Sequence, residues 1–152
     1  MMSIYKKLDE LGIELPTAAA PVAAYSMSMQ SGKLVYLSGH IAKKDGQPWI
    51  GKLGENMTTD MACLAARSIA IDLIATLHAH TGDLNQVSRI VKLFSLVNST
   101  PDYTEQHRVT NGASELFVSV FGASGKHARS AAGVIQLPLG ACVEIELIAE
   151  VK

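Results

Sequence analysis

The chain has 152 residues, 48% of them apolar and 18% charged, enough for one domain and thin for two. A chain of this length buries roughly 70% of the surface its unfolded form exposes, which excludes disordered, collagen-like and mini-protein classes and removes any need for disulfides or a structural metal. Thirteen Lys and Arg against fourteen Asp and Glu leave a net charge of -1, without the basic excess of a phosphate-backbone binder.

Residues 1–152 are therefore expected to form a single domain. Ser3 to Leu11 carries a candidate N-cap in Ser3 and apolar Ile4 and Leu8 at helical spacing, which predicts a short helix over about 3–11. Lys6, Lys7, Asp9, Glu10 and Glu14 interrupt any apolar core of a signal peptide, and Pro16 and Pro21 break the uncharged run from Leu15 to Gly32. A cytoplasmic protein with no membrane span is the expectation. Tyr25, Met27 and Met29 alternate with Ser26, Ser28 and Gln30, predicting a half-buried strand that turns at Ser31-Gly32 into a second one, Leu34 to Ile41, buried on both faces. Gly39 inside that strand marks a bulge or a close backbone approach.

Thr58 or Thr59 caps a long helix running to about His80, closed by Gly82. It is apolar nearly all round, so it should pack on more than one side. Ile90 to Val97 reads as a buried strand. Asp102 to Phe121 reads as a second long helix, with Val109, Leu116 and Phe117 in the core. Ala131 to Leu137 is a predicted strand ended by Pro138 and Gly140. In the last segment Val143, Ile145, Leu147, Ala149 and Val151 face one way, and Glu144, Glu146, Ile148 and Glu150 the other. The order predicts an α+β fold, with a sheet of about five to six strands and two long helices on it.

Phosphate-cradling and nucleophile-elbow motifs are absent. His78 and His80, two apart on a helix, point about 200° apart and cannot chelate one ion, so no metal is expected. Cys63 and Cys142 lie in apolar stretches without paired spacing and read as buried, reduced thiols. His40 beside Gly39 reads more simply as a structural or solvent-facing imidazole than as a catalytic one. Arg129 follows the glycine-containing bend Phe121 to Lys126 at a strand start, where its guanidinium fork could hold a carboxylate, although a surface arginine would look the same.

Ala128-Arg129-Ser130, Val134, Leu137-Pro138 and Val143 to Ala149 together resemble the C-terminal signature of the reactive intermediate deaminase family (RidA, YjgF-like). Tyr25, Ser38-Gly39, and Asn111 with Glu115 and Phe117 match further landmarks in order, so the likeness runs from about Tyr25 to the C-terminus. The resemblance implies a chorismate-mutase-like fold with a mixed sheet, a homotrimer with sites between subunits, and hydrolysis of enamines and imines such as 2-aminoacrylate to 2-keto acids and ammonia. It implies no cofactor. Carried over, Arg129 would bind the substrate carboxylate and the Gly39 amide would donate to it. Glu144 would position or activate water, with Tyr25, Ser38, Asn111, Ser130 and Ala131 lining the pocket. By residue type alone, Glu144, Glu146 and Glu150 read as a solvated face, Tyr25 as core and Asn111 as a capping or surface amide.

The chain departs from the family pattern in ways that suggest a separate branch. His127 stands where proline is usual, Ala131 where cysteine, Gly133 where glutamate and His40 where glutamine, and the Ser99 to Thr110 loop and the N-terminus are longer. The alternative reading is a non-catalytic protein that binds a 2-keto acid or a similar carboxylate metabolite. A third, RNA cleavage, follows from the endoribonuclease label some family members carry, and the near-neutral charge and three-glutamate strand oppose nucleic acid. If the last two strands formed a simple hairpin, Arg129 would pair near Glu150 and Glu144 would lie roughly 20 Å away. A shared site then requires that the last strand pairs elsewhere or that two subunits meet.

Overall fold

The strongest local signals give the most regular elements. The last strand, β7, runs over Val143–Val151, and its odd-numbered residues are buried while Glu144, Glu146, Ile148 and Glu150 face away from the core. The long helix α2 spans Thr59–Thr81, where the Thr58 side chain accepts from the Met61 N–H and Gly82 closes it in the left-handed conformation. Such a cap contributes about 1 kcal/mol. Although α2 is long and apolar enough to cross a bilayer, its apolarity serves the core, with Ala65, Ile69, Leu73, Ile74 and Leu77 fully buried.

The computed structural model describes residues 3–152, and residues 1 and 2 of the expected domain lie outside that range. The remaining elements are α1 (Ile4–Glu10), β1 (Ser28–Ser31), β2 (Leu34–Ile41), a small hairpin of β3 (Lys43–Lys44) and β4 (Gln47–Pro48), β5 (Val87–Asn98), α3 (Gln106–Phe121) and β6 (Ala128–Val134). The main sheet has the order β1-β2-β7-β5-β6, antiparallel except for the parallel β5–β6 pair. It is a mixed five-stranded sheet in an α+β fold. α2 and α3 pack on each other and cover one face, so the core lies between them and the inward residues of β2, β5 and β7. Gly112 permits the helix contact, since a Cβ there would stand 2.0 Å from the Cys63 carbonyl oxygen.

Several expectations need correction. The first strand begins at Ser28, and Tyr25 lies before it, 45% exposed, with Met29 63% exposed. The second strand is buried on one face only, because both helices lie on the same side and leave Tyr36 43% exposed on the other. The second long helix starts four residues later than expected, because the chain before it is drawn to α2. The Tyr103 hydroxyl meets Thr59 Oγ1 at 2.8 Å, and Thr59 donates to the Glu105 carboxylate at 2.7 Å. β6 starts and ends three residues earlier than expected, since its parallel register pairs Ala128 with Lys92 and Val134 with Asn98, where β5 ends. Cys63 is half-buried, while Cys142 is fully buried. The β3–β4 hairpin was not foreseen.

Candidate functional site

Arg129 is the second residue of the edge strand β6 and pairs with Leu93, whose side chain is in the core, so its own side chain rises on the helix-covered face. There it is tied to one face of α3. Nη1 donates to Asn111 Oδ1 at 2.8 Å and to Ser114 Oγ at 3.2 Å, and Nη2 donates to the His107 carbonyl at 3.2 Å. A guanidinium has five N–H donors. Three are engaged, leaving Nε–H and one Nη2–H without a partner among the described residues, two donors that suit a carboxylate.

Glu144, the second residue of β7, projects from the opposite, helix-free face. The Leu37–His40 step breaks the β2–β7 register, giving the bulge that Gly39 suggested. Glu144 lies over that bulge: a Cβ on Gly39 would stand 2.2 Å from Glu144 Oε1. Only glycine permits this approach. Burial raises the Glu144 carboxyl above its ordinary pKa, and Glu146 adds to the effect.

The bulge is pinned from behind by His40, 6% exposed. Its Nδ1 lies 2.7 Å from the Ser38 carbonyl and its Nε2 2.8 Å from Thr76 Oγ1 on α2. Burial lowers its pKa despite the Ser38 bond. Of the two simpler readings that the sequence left open, the structure favours the structural imidazole over the solvent-facing one. Ser38 in turn donates from Oγ to the Ser26 carbonyl at 2.6 Å and from its N–H to the Met27 carbonyl at 3.0 Å, which holds the Tyr25 segment beside the bulge.

The residues singled out in the sequence thus fall into two groups. Ser38, Gly39 and Glu144 gather at the bulge, with Tyr25 exposed on the segment that Ser38 ties down, and Arg129 and Asn111 gather at α3. Ala131 follows Arg129 on the helix-covered face. Ser130 points to the open face, where Lys92 Nζ lies 3.5 Å from its hydroxyl. β7 inserts between β2 and β5, so Glu144 and Arg129 are two strands apart. Registers through Leu93 and Leu96 place them about 10 Å apart along the strands and about 10 Å across them, on opposite faces. One chain does not bring them together. Sequence reasoning missed Ser114 and His107 as partners of Arg129. Their spacing from Asn111, three and four residues, is the helical signal that would have found them.

No cluster of His, Cys, Asp or Glu suited to a metal ion occurs among the described residues. Burial raises the Cys142 thiol to about 11, which keeps it protonated and inert.

A five-stranded mixed sheet with two helices on one face, an edge-strand arginine held to a helix and a glutamate folded over a strand bulge define a small α+β protein of the chorismate-mutase-like class. A family model described as Endoribonuclease L-PSP matches residues 16–151, and the chain belongs to that family, within the YjgF/RidA superfamily. It is 46% identical over 147 residues to Protein TCP17 of Trypanosoma cruzi, covering 95% of this chain and 92% of that one. Among solved structures, an Agrobacterium tumefaciens protein of unknown function is 39% identical with a TM-score of 0.90, over 98% of this chain and 92% of that one. A Shewanella oneidensis protein described as a candidate endoribonuclease is 27% identical with a TM-score of 0.94, over 99% and 100%. Yeast Mmf1, at 26% identity over 90% and 94%, reaches only 0.63. At nearly equal identity the chain follows the Shewanella backbone more closely than the yeast one.

Proposed function

We propose that the protein hydrolyses enamines and imines bearing a carboxylate, 2-aminoacrylate being the type, to 2-keto acids and ammonia. The observation that carries this reading is the free Nε–Nη2 edge of an arginine whose other donors are occupied. That edge fits a carboxylate, and the resemblance to the reactive intermediate deaminases suggests the reaction class. Because Arg129 and Glu144 lie on opposite faces, the working site is composite. A second copy that sets its β2–β7 face against the β6 edge of the first unites Glu144 and Gly39 of one with Arg129 and Asn111 of the other, and a closed ring of three does so at every junction.

An enamine first takes a proton from solvent on its β-carbon, which gives the iminium ion. Glu144 then removes a proton from water as the oxygen adds to the iminium carbon and the C=N electron pair returns to nitrogen. Glu144 gives that proton to the nitrogen of the resulting carbinolamine, the C–N bond breaks to release ammonia, and the hydroxyl loses its proton to solvent as its oxygen becomes the keto oxygen. The imine carbon is already electrophilic, so the protein's task is to hold the carboxylate and place the water. A raised carboxyl pKa makes Glu144 a better base once ionised.

A non-catalytic carboxylate-binding protein is the second reading, favoured by the absence of Glu144 from the Arg129 face of the same chain. RNA cleavage fits less well, because Glu144, Glu146 and Glu150 share one open face and repel phosphate. Ammonia release from an imine generated in situ by an amino acid oxidase separates the first two readings. The hydrolase accelerates it, whereas a binding protein shifts only in melting temperature with 2-ketobutyrate. Light scattering is expected to give three times the chain mass, and a mass of about 16 kDa in dilute neutral buffer would sink the composite site.

A further inference from the structure

His127 occupies a position where the family resemblance expects proline, and the proposed chemistry does not use it. Its Nδ1 lies 2.7 Å from the Gly125 carbonyl, and because a carbonyl only accepts, Nδ1 carries the proton. In the neutral ring Nε2 is then an acceptor, 3.0 Å from Ser114 Oγ, and the Ser114 hydroxyl donates to it. That direction uses the only proton of Ser114. Its lone pairs therefore face Arg129 Nη1 at 3.2 Å, and each donor in the chain strengthens the next.

The ring is held on two further sides. Its centroid stands 5.9 Å from that of Phe117 at 85°, an edge-on contact. Gly125 lies so close to α3 that a Cβ there would stand 2.1 Å from the Phe117 carbonyl oxygen, and this approach sets the carbonyl that fixes the tautomer. Sequence spacing, tautomer and rotor thus all bear on one guanidinium.

We infer that His127, acting through Ser114, is a positioning residue for Arg129, setting the serine hydroxyl so that both Nη1 protons are engaged and only the Nε–Nη2 edge meets a ligand. Its use rests on the carboxylate-binding reading above, while the locking itself belongs to the free protein. Proline at 127 has no ring nitrogen that could accept from Ser114. The relay is therefore a feature of this chain's own residues at 114 and 127.

Nitrogen-15 NMR of the Arg129 side chain in the full-length protein tests the locking without ligand, and calorimetry with pyruvate tests its use. In the unaltered protein the two Nη signals are resolved, because hydrogen bonds slow rotation about the Cζ–Nη bonds. His127→Ala and Ser114→Ala broaden and merge them and weaken pyruvate binding about three- to tenfold, the range for one hydrogen bond. The double variant loses no more than either single one, because both act through one chain of bonds. His127→Gln, whose amide oxygen accepts from Ser114, restores the signals and the affinity, with melting temperature confirming that each variant folds. Resolved Nη signals in His127→Ala, or additive losses in the double variant, would overturn the proposal. Resolved signals that respond to these variants in a protein that ignores pyruvate would instead leave the positioning intact and end the carboxylate reading.

Discussion

The Arg129 and Glu144 groups are built on contrasting principles. Arg129 is surrounded by polar partners from one helix, and those partners define which of its protons remain free. Glu144 is held by shape, folded over a glycine at a bulge and partly removed from water. A group fixed by hydrogen bonds on one side and left with donors on the other is suited to orienting an anion, whereas a desolvated carboxylate holds its negative charge at a cost and readily takes a proton. The proposed hydrolysis would thus divide recognition and proton transfer between different faces of one sheet.

Glu144→Gln breaks the contrast on its chemical side and carries the largest expected effect. It keeps the shape and removes the base, so hydrolysis slows by about 100-fold or more while pyruvate affinity is retained. Steady-state ammonia release and calorimetry on the same preparation check both halves. On the proposed mechanism the unaltered protein is expected to lose hydrolytic activity as pH falls through the Glu144 pKa, which burial raises above its ordinary value, and the Gln variant is expected to lack that limb. The linked effect on stability has a definite sign. A folded-state pKa above the unfolded value gives stabilisation that is complete below the unfolded pKa and lost as pH rises through the folded one. Glu144→Gln accordingly melts above the unaltered protein at neutral pH, and the difference closes below the ordinary glutamate pKa.

Gly39→Ala tests shape rather than charge, since the new Cβ would fall 2.2 Å from Glu144 Oε1 and push the carboxylate aside. Displacement of about 1 Å at a reacting group lowers turnover by up to about 100-fold. Pyruvate binding through Arg129 should change much less, and equal losses in the rate and the affinity would show that the two groups are not separable.

Arg129→Lys sharpens the other side. Lysine keeps the charge but cannot reproduce the fork, so carboxylate affinity falls by about 1.5 to 3 kcal/mol. Equal pyruvate affinities for the variant and the unaltered protein would place the anion site elsewhere. The smallest effect is expected at the cysteines. Cys142, with its thiol raised to about 11, and half-buried Cys63 belong to neither group, and replacing both with Ala leaves turnover of the folded protein unchanged.

Local regularities determined much of this molecule before any tertiary contact is considered. Alternation over nine residues identified β7, Thr58 or Thr59 and Gly82 bounded α2, and the interior Gly39 marked a bulge or a close approach, both of which the structure contains. Side-chain period, capping and backbone steric freedom act within a few residues, so a linear string carries them. The family signature around Arg129 was legible for the same reason. What the tertiary structure alone decided is how separate segments register. Insertion of β7 between β2 and β5, the start of α3 set by Thr59 on another helix, and the limits of β6 set by β5 all depend on pairings across scores of residues. Those pairings put Arg129 and Glu144 on opposite faces. Which face a side chain takes reverses with a one-residue change of register, and register is fixed by the packing of the whole sheet against its helices.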